Sequence, residues 1–80
     1  MKTVRFSAPA ALELRRHSAV AKRIVRKIEG YAKTGAGDVV DMVGQPGFKR
    51  LRIGDYRAIF AESGDEITVL KVGPRGTVYE

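Results

Sequence analysis

At the start of the chain polar and apolar residues alternate: Val4 and Phe6 stand among Lys2, Thr3 and Arg5. A period of two predicts a short strand. Ser7 then offers an oxygen to cap a helix, and Pro9 is tolerated in a first turn whose amides lack partners anyway. Ala8, Ala11, Leu12 and Arg15 keep helical spacing, so this helix is expected to reach about Arg16. His17-Ser18 breaks the pattern, and Ser18 is expected to cap a second helix. There Val20, Ile24, Ile28 and Tyr31 recur at i, i+4, i+8 and i+11 as one apolar stripe. Lys22, Arg23, Arg26, Lys27 and Lys33 fill the other side, and Gly35 and Gly37 end the helix. The short link makes the pair a helical hairpin.

Residues 38–47 hold no sustained period and read as an irregular connection, with Val39, Val40 and Met42 tucked against the core. Three strand-like runs follow, at 48–53, 56–61 and 66–72. Gly54-Asp55 and Ser63-Gly64-Asp65 separate them with hairpin turn chemistry. Thr77-Val78-Tyr79 is expected to add a last short strand. The expected fold is α+β with the order β-α-α-β-β-β. An N-terminal strand and a helical hairpin pack on a small antiparallel sheet, in one domain spanning 1–80.

Composition narrows the partners more than the fold. A chain of 80 residues buries only about 60% of its unfolded surface, so its stability margin is thin. There is no cysteine, which excludes disulfides and fits a reducing cytoplasm. No apolar run approaches the roughly 20 residues of a membrane span, and the first residues lack the apolar stretch of a signal peptide. Fifteen Lys and Arg face nine Asp and Glu, for a net charge of +6. Such a balance points to a polyanionic partner, either nucleic acid or an acidic protein. Asp38, Asp41, Asp55, Asp65 and Glu66 sit mostly in turns without metal-ligand spacing, so neither a metal nor a small-molecule cofactor is expected.

The stretch "KRLRIGDYR", residues 49–57, holds four cations in nine positions. With Gly54-Asp55 as a two-residue loop, Ile53 faces Tyr56, Arg52 faces Arg57, Leu51 faces Ala58 and Arg50 faces Ile59. Opposed residues share a face. One face then carries Leu51, Ile53, Tyr56, Ala58 and Phe60, and the other carries Arg50, Arg52 and Arg57, flanked by Phe48 and Ile59. Opposed like charges cost up to about 1 kcal/mol, so Arg57→Ala is expected to leave the fold intact or slightly more stable. Arginine grips phosphate through paired hydrogen bonds, and this face reads as a phosphate-binding platform. Lys71 joins that face if Leu70 and Val72 are core. Lys49 falls on core parity and reaches the rim only through its long stem.

The same residues carry a family resemblance. "GFKRLRIGDYRAIFAESGDEITVLKVGPRGTVYE" resembles the C-terminal half of the RelE/ParE superfamily of bacterial toxins. The family pattern is a basic-Leu-Arg strand, a turn, "YR" with aliphatics, then "V-G-[HK]-R" and a final "VY". RelE-like members cut mRNA on the ribosome, ParE-like members inhibit DNA gyrase, and a cognate antitoxin silences both. In the RNA-cutting branch, which the retained arginines favour, the resemblance implies that Arg50, Arg57, Arg75 and Tyr79 line the catalytic site. Arg52, Lys49 and Lys71 are the further phosphate-binding candidates. One departure stands out: Pro74 occupies the place where the family often has His or Lys, and proline cannot transfer a proton.

The resemblance implies attack of an RNA 2′-OH on the adjacent phosphate, leaving a cyclic phosphate and a 5′-hydroxyl. Fixed cations stabilise the charge that grows on the phosphate oxygens, a role that fits Arg50, Arg57 and Arg75. Lys71 is a candidate base if neighbouring cations lower its pKa. Tyr79 is a candidate for base stacking or proton transfer. Two alternatives stay open at this point: a non-catalytic gyrase inhibitor and a plain nucleic-acid-binding module. His17, at the end of the first helix, reads as a cation that suits the helix dipole.

Overall fold

In the computed structural model, which describes residues 1–76, the alternating N-terminus is strand β1, Thr3–Phe6. The expected strand at 77–79 lies outside the described residues. Helix α1 is Ala8–Arg16, with Ser7 as its cap: the Ser7 hydroxyl accepts from the Ala10 amide at 3.2 Å. Helix α2, Ser18–Thr34, follows directly. Its cap position is His17 rather than Ser18, and no side chain caps it. One residue separates the helices, so the His17 carbonyl already accepts from the Val20 amide at 3.0 Å, leaving Ser18 inside the first turn. Gly35, at φ 77°, closes α2 in the left-handed conformation open to glycine.

Four further strands complete the sheet: β2 Asp38–Asp41, β3 Phe48–Ile53, β4 Tyr56–Ser63 and β5 Glu66–Pro74. Strand β2 falls in the segment expected to be irregular. It is only four residues long, and its sequence Asp-Val-Val-Asp does not alternate, so no strand period shows. It pairs antiparallel with β3, matching Asp38 to Arg52, Val39 to Leu51, Val40 to Arg50 and Asp41 to Lys49. The sheet order is β1-β5-β4-β3-β2. β1 runs parallel to β5, so the sheet is mixed rather than wholly antiparallel. Alternation announces a strand but not its direction; that is fixed by tertiary bonds such as the Ser7 amide to the Val69 carbonyl, 2.9 Å.

Both helices cover one face of the sheet. Ala10 from α1 and Ile24, Ile28 and Ala32 from α2 pack with Leu51, Ile53, Ala58, Phe60, Ile67, Val69 and Val72. The parity of β5 changes within this core, from Val69 to Val72. An irregularity between Ile59 and Phe60 on β4 permits it: Phe60 pairs with Val69 and Ile59 with Lys71, so Leu70 is the extra residue. The Ser7 hydroxyl donates to the Leu70 carbonyl at 3.0 Å, tying the start of α1 to that bulge. The helix-free face remains for chemistry.

Candidate functional site

The β3–β4 hairpin has the register that its Gly54-Asp55 turn dictates: Arg52 opposes Arg57, Arg50 opposes Ile59, and Ile53 opposes Tyr56. Gly54, at φ 59°, takes the turn conformation that a side chain would strain. Extended through β2 and β5, two rows cross the helix-free face. One reads Val40, Arg50, Ile59, Lys71; the other reads Asp38, Arg52, Arg57, Gly73. The bulge at Leu70 turns Lys71 onto this face.

Asp38, Val40, Arg50, Arg52 and Arg57 line a depression of about 200 Å³. Arg57 is its most enclosed member, only 9% exposed. Its Nη1 donates to the carbonyls of Gly54 and Tyr56, at 2.8 and 2.9 Å. These bonds fold the guanidinium back on its own turn and hold it in place. They also reverse the expectation that removing Arg57 would stabilise the fold, because the side chain satisfies two carbonyls as well as opposing Arg52. Arg52 is exposed and stands 3.9 Å from Asp38. Asp38 thus offsets part of the like-charge opposition. Ile59 is buried yet separate from the main core cluster, an apolar spot among the cations.

Val40, expected against the core, is exposed on the open face, and Asp38, expected in a turn, lies on β2; both were misplaced because β2 was not foreseen. The one signal was charge: the register sets Asp38 against Arg52 and Asp41 against Lys49, on opposite faces of the sheet. Arg75 lies just past β5 and is exposed, and its amide donates to the Asp55 carbonyl at 2.7 Å. That bond brings Arg75 to the turn end of the Arg57 row. Pro74 pairs with Tyr56, so position 74 shares the helix-side face of Tyr56 and not the face of Arg57. Tyr79 lies outside the described residues.

Lys49 is not brought to the arginine rows. It pairs with Phe60 across the sheet, on the helix side, and its ammonium lies 3.2 Å from Asp41 and 3.6 Å from Glu62. The hydrogen bond with Asp41 raises its pKa above the usual lysine value. Glu62 also takes a hydrogen bond from Lys2 and one from the Tyr31 hydroxyl at 2.7 Å. Chiefly the Lys2 bond holds the Glu62 carboxyl below its ordinary range, while burial pushes the Tyr31 hydroxyl up. This network braces Lys2, the residue before β1, together with α2, β2, β3 and β4. His17 also sits on the helix side: Nδ1 lies 3.3 Å from the Tyr56 hydroxyl and Nε2 lies 3.4 Å from Glu13.

The open face can therefore hold an anion among Arg50, Arg52 and Arg57 with Lys71 alongside, and Asp38 places a carboxylate at the edge of that cluster. Among the described residues no cluster of His, Cys, Asp and Glu is arranged to hold a metal ion, and no helix is long and apolar enough to cross a membrane. Comparison with known proteins agrees with this architecture. A chain of the RelB-RelE antitoxin–toxin complex from Methanococcus jannaschii is 25% identical, with a TM-score of 0.76 and 94% of each chain covered. A chain of the archaeal RelE-RelB complex from Pyrococcus horikoshii OT3 shares the fold at a TM-score of 0.77 and 24% identity, covering 95% of this chain and 97% of that one. A chain of the chromosomal ParDE system from P. aeruginosa is 25% identical with a TM-score of 0.58, covering 92% of this chain and 96% of that one. No curated protein matches the sequence. A family model described as the ParE toxin of the type II toxin–antitoxin system, parDE, matches residues 4–79. The chain belongs to that toxin family, within the RelE/ParE superfamily.

Proposed function

We propose that this toxin is a ribosome-dependent, metal-independent endoribonuclease that cuts mRNA, arrests translation in the cytoplasm, and is silenced by a cognate antitoxin protein. The observation that carries this reading is the depression on the helix-free face, where Arg50 and Arg52 stand beside an Arg57 guanidinium fixed by two carbonyls. A phosphate seated there meets an Arg57 guanidinium already held in place as negative charge grows, with Arg50 and Arg52 as further charged donors. In the reaction the 2′-oxygen loses its proton and bonds to phosphorus. The bond from phosphorus to the 5′-oxygen breaks, and that oxygen takes up a proton. Arginine does not readily release a proton, so the cations orient the phosphate and stabilise charge. Lys71, next to this site across Ile59, is the base candidate, and Tyr79 is the candidate for proton delivery or stacking. Arg75 adds a cation at the turn end.

A site made mostly of arginines holds a phosphate well but orients a free strand poorly, and this is why the ribosome is assigned the positioning role. The test is induction in growing cells followed by mapping of mRNA 5′ ends. New ends in phase with codons are expected. Growth arrest with DNA supercoiling lost and no new mRNA ends would move the protein to a second reading, a non-catalytic inhibitor of DNA gyrase. Two observations favour that alternative: the matching family model is that of ParE toxins, and Pro74 stands where a proton-transfer residue is common in relatives.

A further inference from the structure

We infer that the outward face of α2 is a second nucleic-acid surface, one that docks the phosphate backbone of folded ribosomal RNA; this rests on the ribosome-directed reading. Helix α2 carries five cations, Lys22, Arg23, Arg26, Lys27 and Lys33, against one carboxylate, Glu29. All five are exposed. Of the ten cations elsewhere, five stand within ion-pair distance of a carboxylate: Lys2, Arg5, Arg16, Lys49 and Arg52. Among the described residues none of the α2 cations does. At 100° per residue, Lys22, Arg26 and Lys33 fall in a strip roughly 40° wide and roughly 16 Å long. Lys27 flanks it on the side away from Glu29, while the Arg23 guanidinium turns toward Gly54 in the β3–β4 loop.

Gly30 lies at the middle of this array, four residues after Arg26 and three before Lys33. A glycine inside a helix costs about 1 kcal/mol relative to alanine. Packing does not explain it, because a Cβ at Gly30 would meet nothing within 4 Å. The helix conformation does not require glycine there either, since Gly30 is absent from the positive-φ residues. What it leaves is a bare strip of helix surface bordered by Arg26, Lys27 and Lys33, where a partner's backbone can approach closely. Between the cations this face holds nothing larger than Ala19 and Thr34. A docking polypeptide needs aromatic or aliphatic anchors to bury. A sugar-phosphate backbone needs only positioned cations, whose binding releases counterions. A shallow groove with Ala21 and Val25 adjoins Lys22 and Arg26, but the strip around Gly30 itself offers only cations and small residues and so fits RNA backbone better than an acidic protein segment. With α2 on the covered side of the sheet and the arginine rows on the open side, docking would not obstruct the site.

The test measures binding of the intact protein to purified 30S ribosomal subunits between 50 and 200 mM KCl. The probes are wild type, the Lys22→Gln, Arg26→Gln, Lys27→Gln, Lys33→Gln variant, and Gly30→Gln. Glutamine keeps helix propensity, so both variants are expected to stay folded by circular dichroism, with Gly30→Gln melting higher than wild type. The fourfold variant should bind more than 10-fold weaker, its dependence of log K on log salt shallower by about 3, for four phosphates at roughly 0.7–0.9 each. Gly30→Gln should bind several-fold weaker despite its higher melting point. Wild-type affinity in either variant, or no 30S binding by wild type, overturns the proposal. So does a fourfold variant that binds 30S normally but has lost binding to poly-glutamate, which would mark α2 as a protein-docking face. Failure of the cleavage reading is separate: it appears as wild type that binds ribosomes and cuts no message.

Discussion

Replacing Arg57 with alanine separates two effects that the sequence merges. The change relieves a direct opposition with Arg52 across β3 and β4, worth up to about 1 kcal/mol. It also deletes the hydrogen bonds to the Gly54 and Tyr56 carbonyls, at 2.8 and 2.9 Å. Bonds to a charged donor contribute about 1.5–3 kcal/mol when buried, and less at a turn where water can replace the donor. Taking about 1 kcal/mol each, and adding the packing of a side chain only 9% exposed, the loss exceeds the relief by about 1–2 kcal/mol. For a domain of this size each kcal/mol moves Tm by about 4–8 °C. Arg57→Ala is therefore expected to melt about 4–16 °C below wild type. Arg52→Ala serves as the control. Its side chain is exposed and its contact with Asp38 is 3.9 Å, so the lost pair and the relieved repulsion nearly cancel, leaving a change within about 0.5 kcal/mol. Urea and thermal unfolding of the three purified proteins decide it. An Arg57→Ala variant as stable as wild type, or an Arg52→Ala variant that loses more, refutes the reasoning.

Three other outcomes are expected. Glu62→Gln should flatten the acid limb of stability: the lowered Glu62 pKa stabilises the fold above the unfolded value of 4.5, and that contribution is lost as pH falls through the folded value. Unfolding followed from about pH 6 to pH 3 should thus fall more steeply for wild type than for the variant. Asp38→Asn removes the carboxylate that lines the depression, so it should tighten binding of a short RNA oligonucleotide several-fold while changing stability by less than about 0.5 kcal/mol. Tyr79→Phe keeps the ring and deletes the hydroxyl, and should slow cleavage of ribosome-bound message more than it weakens ribosome binding, in paired rate and affinity measurements.

Much of the hairpin was legible because its chemistry is local. Gly54-Asp55 specifies a two-residue loop, the loop specifies the register, and the register sorts arginines from apolar residues. The stripe of α2 was legible for a similar reason, since Ile24 and Ile28 repeat at the helical period and are buried. Ser7 announced its cap. What stayed hidden depends on partners distant in sequence. β2 has four residues and exists because β3 offers it an edge. The parallel course of β1 is set by β5, some sixty residues away. The bulge at Leu70 breaks the alternation that parity arguments use, though Lys71 still arrives on the expected face. Lys49 illustrates the limit for the site: its place in a basic run grouped it with the arginines, while its parity sent it to Asp41 and Glu62.

The central claim is that a fixed arginine face cuts message presented by the ribosome. The most direct measurement adds purified wild-type protein to one mRNA, naked in one reaction and bound to programmed ribosomes in the other, and follows the 5′ ends. Codon-phased cleavage of the ribosome-bound message, with the naked message left nearly intact, is the predicted result, and it should vanish in Arg57→Lys, which keeps the charge and loses the paired donors. Equal cutting of both messages would contradict ribosome dependence, and cutting of neither would contradict the assignment of an endoribonuclease.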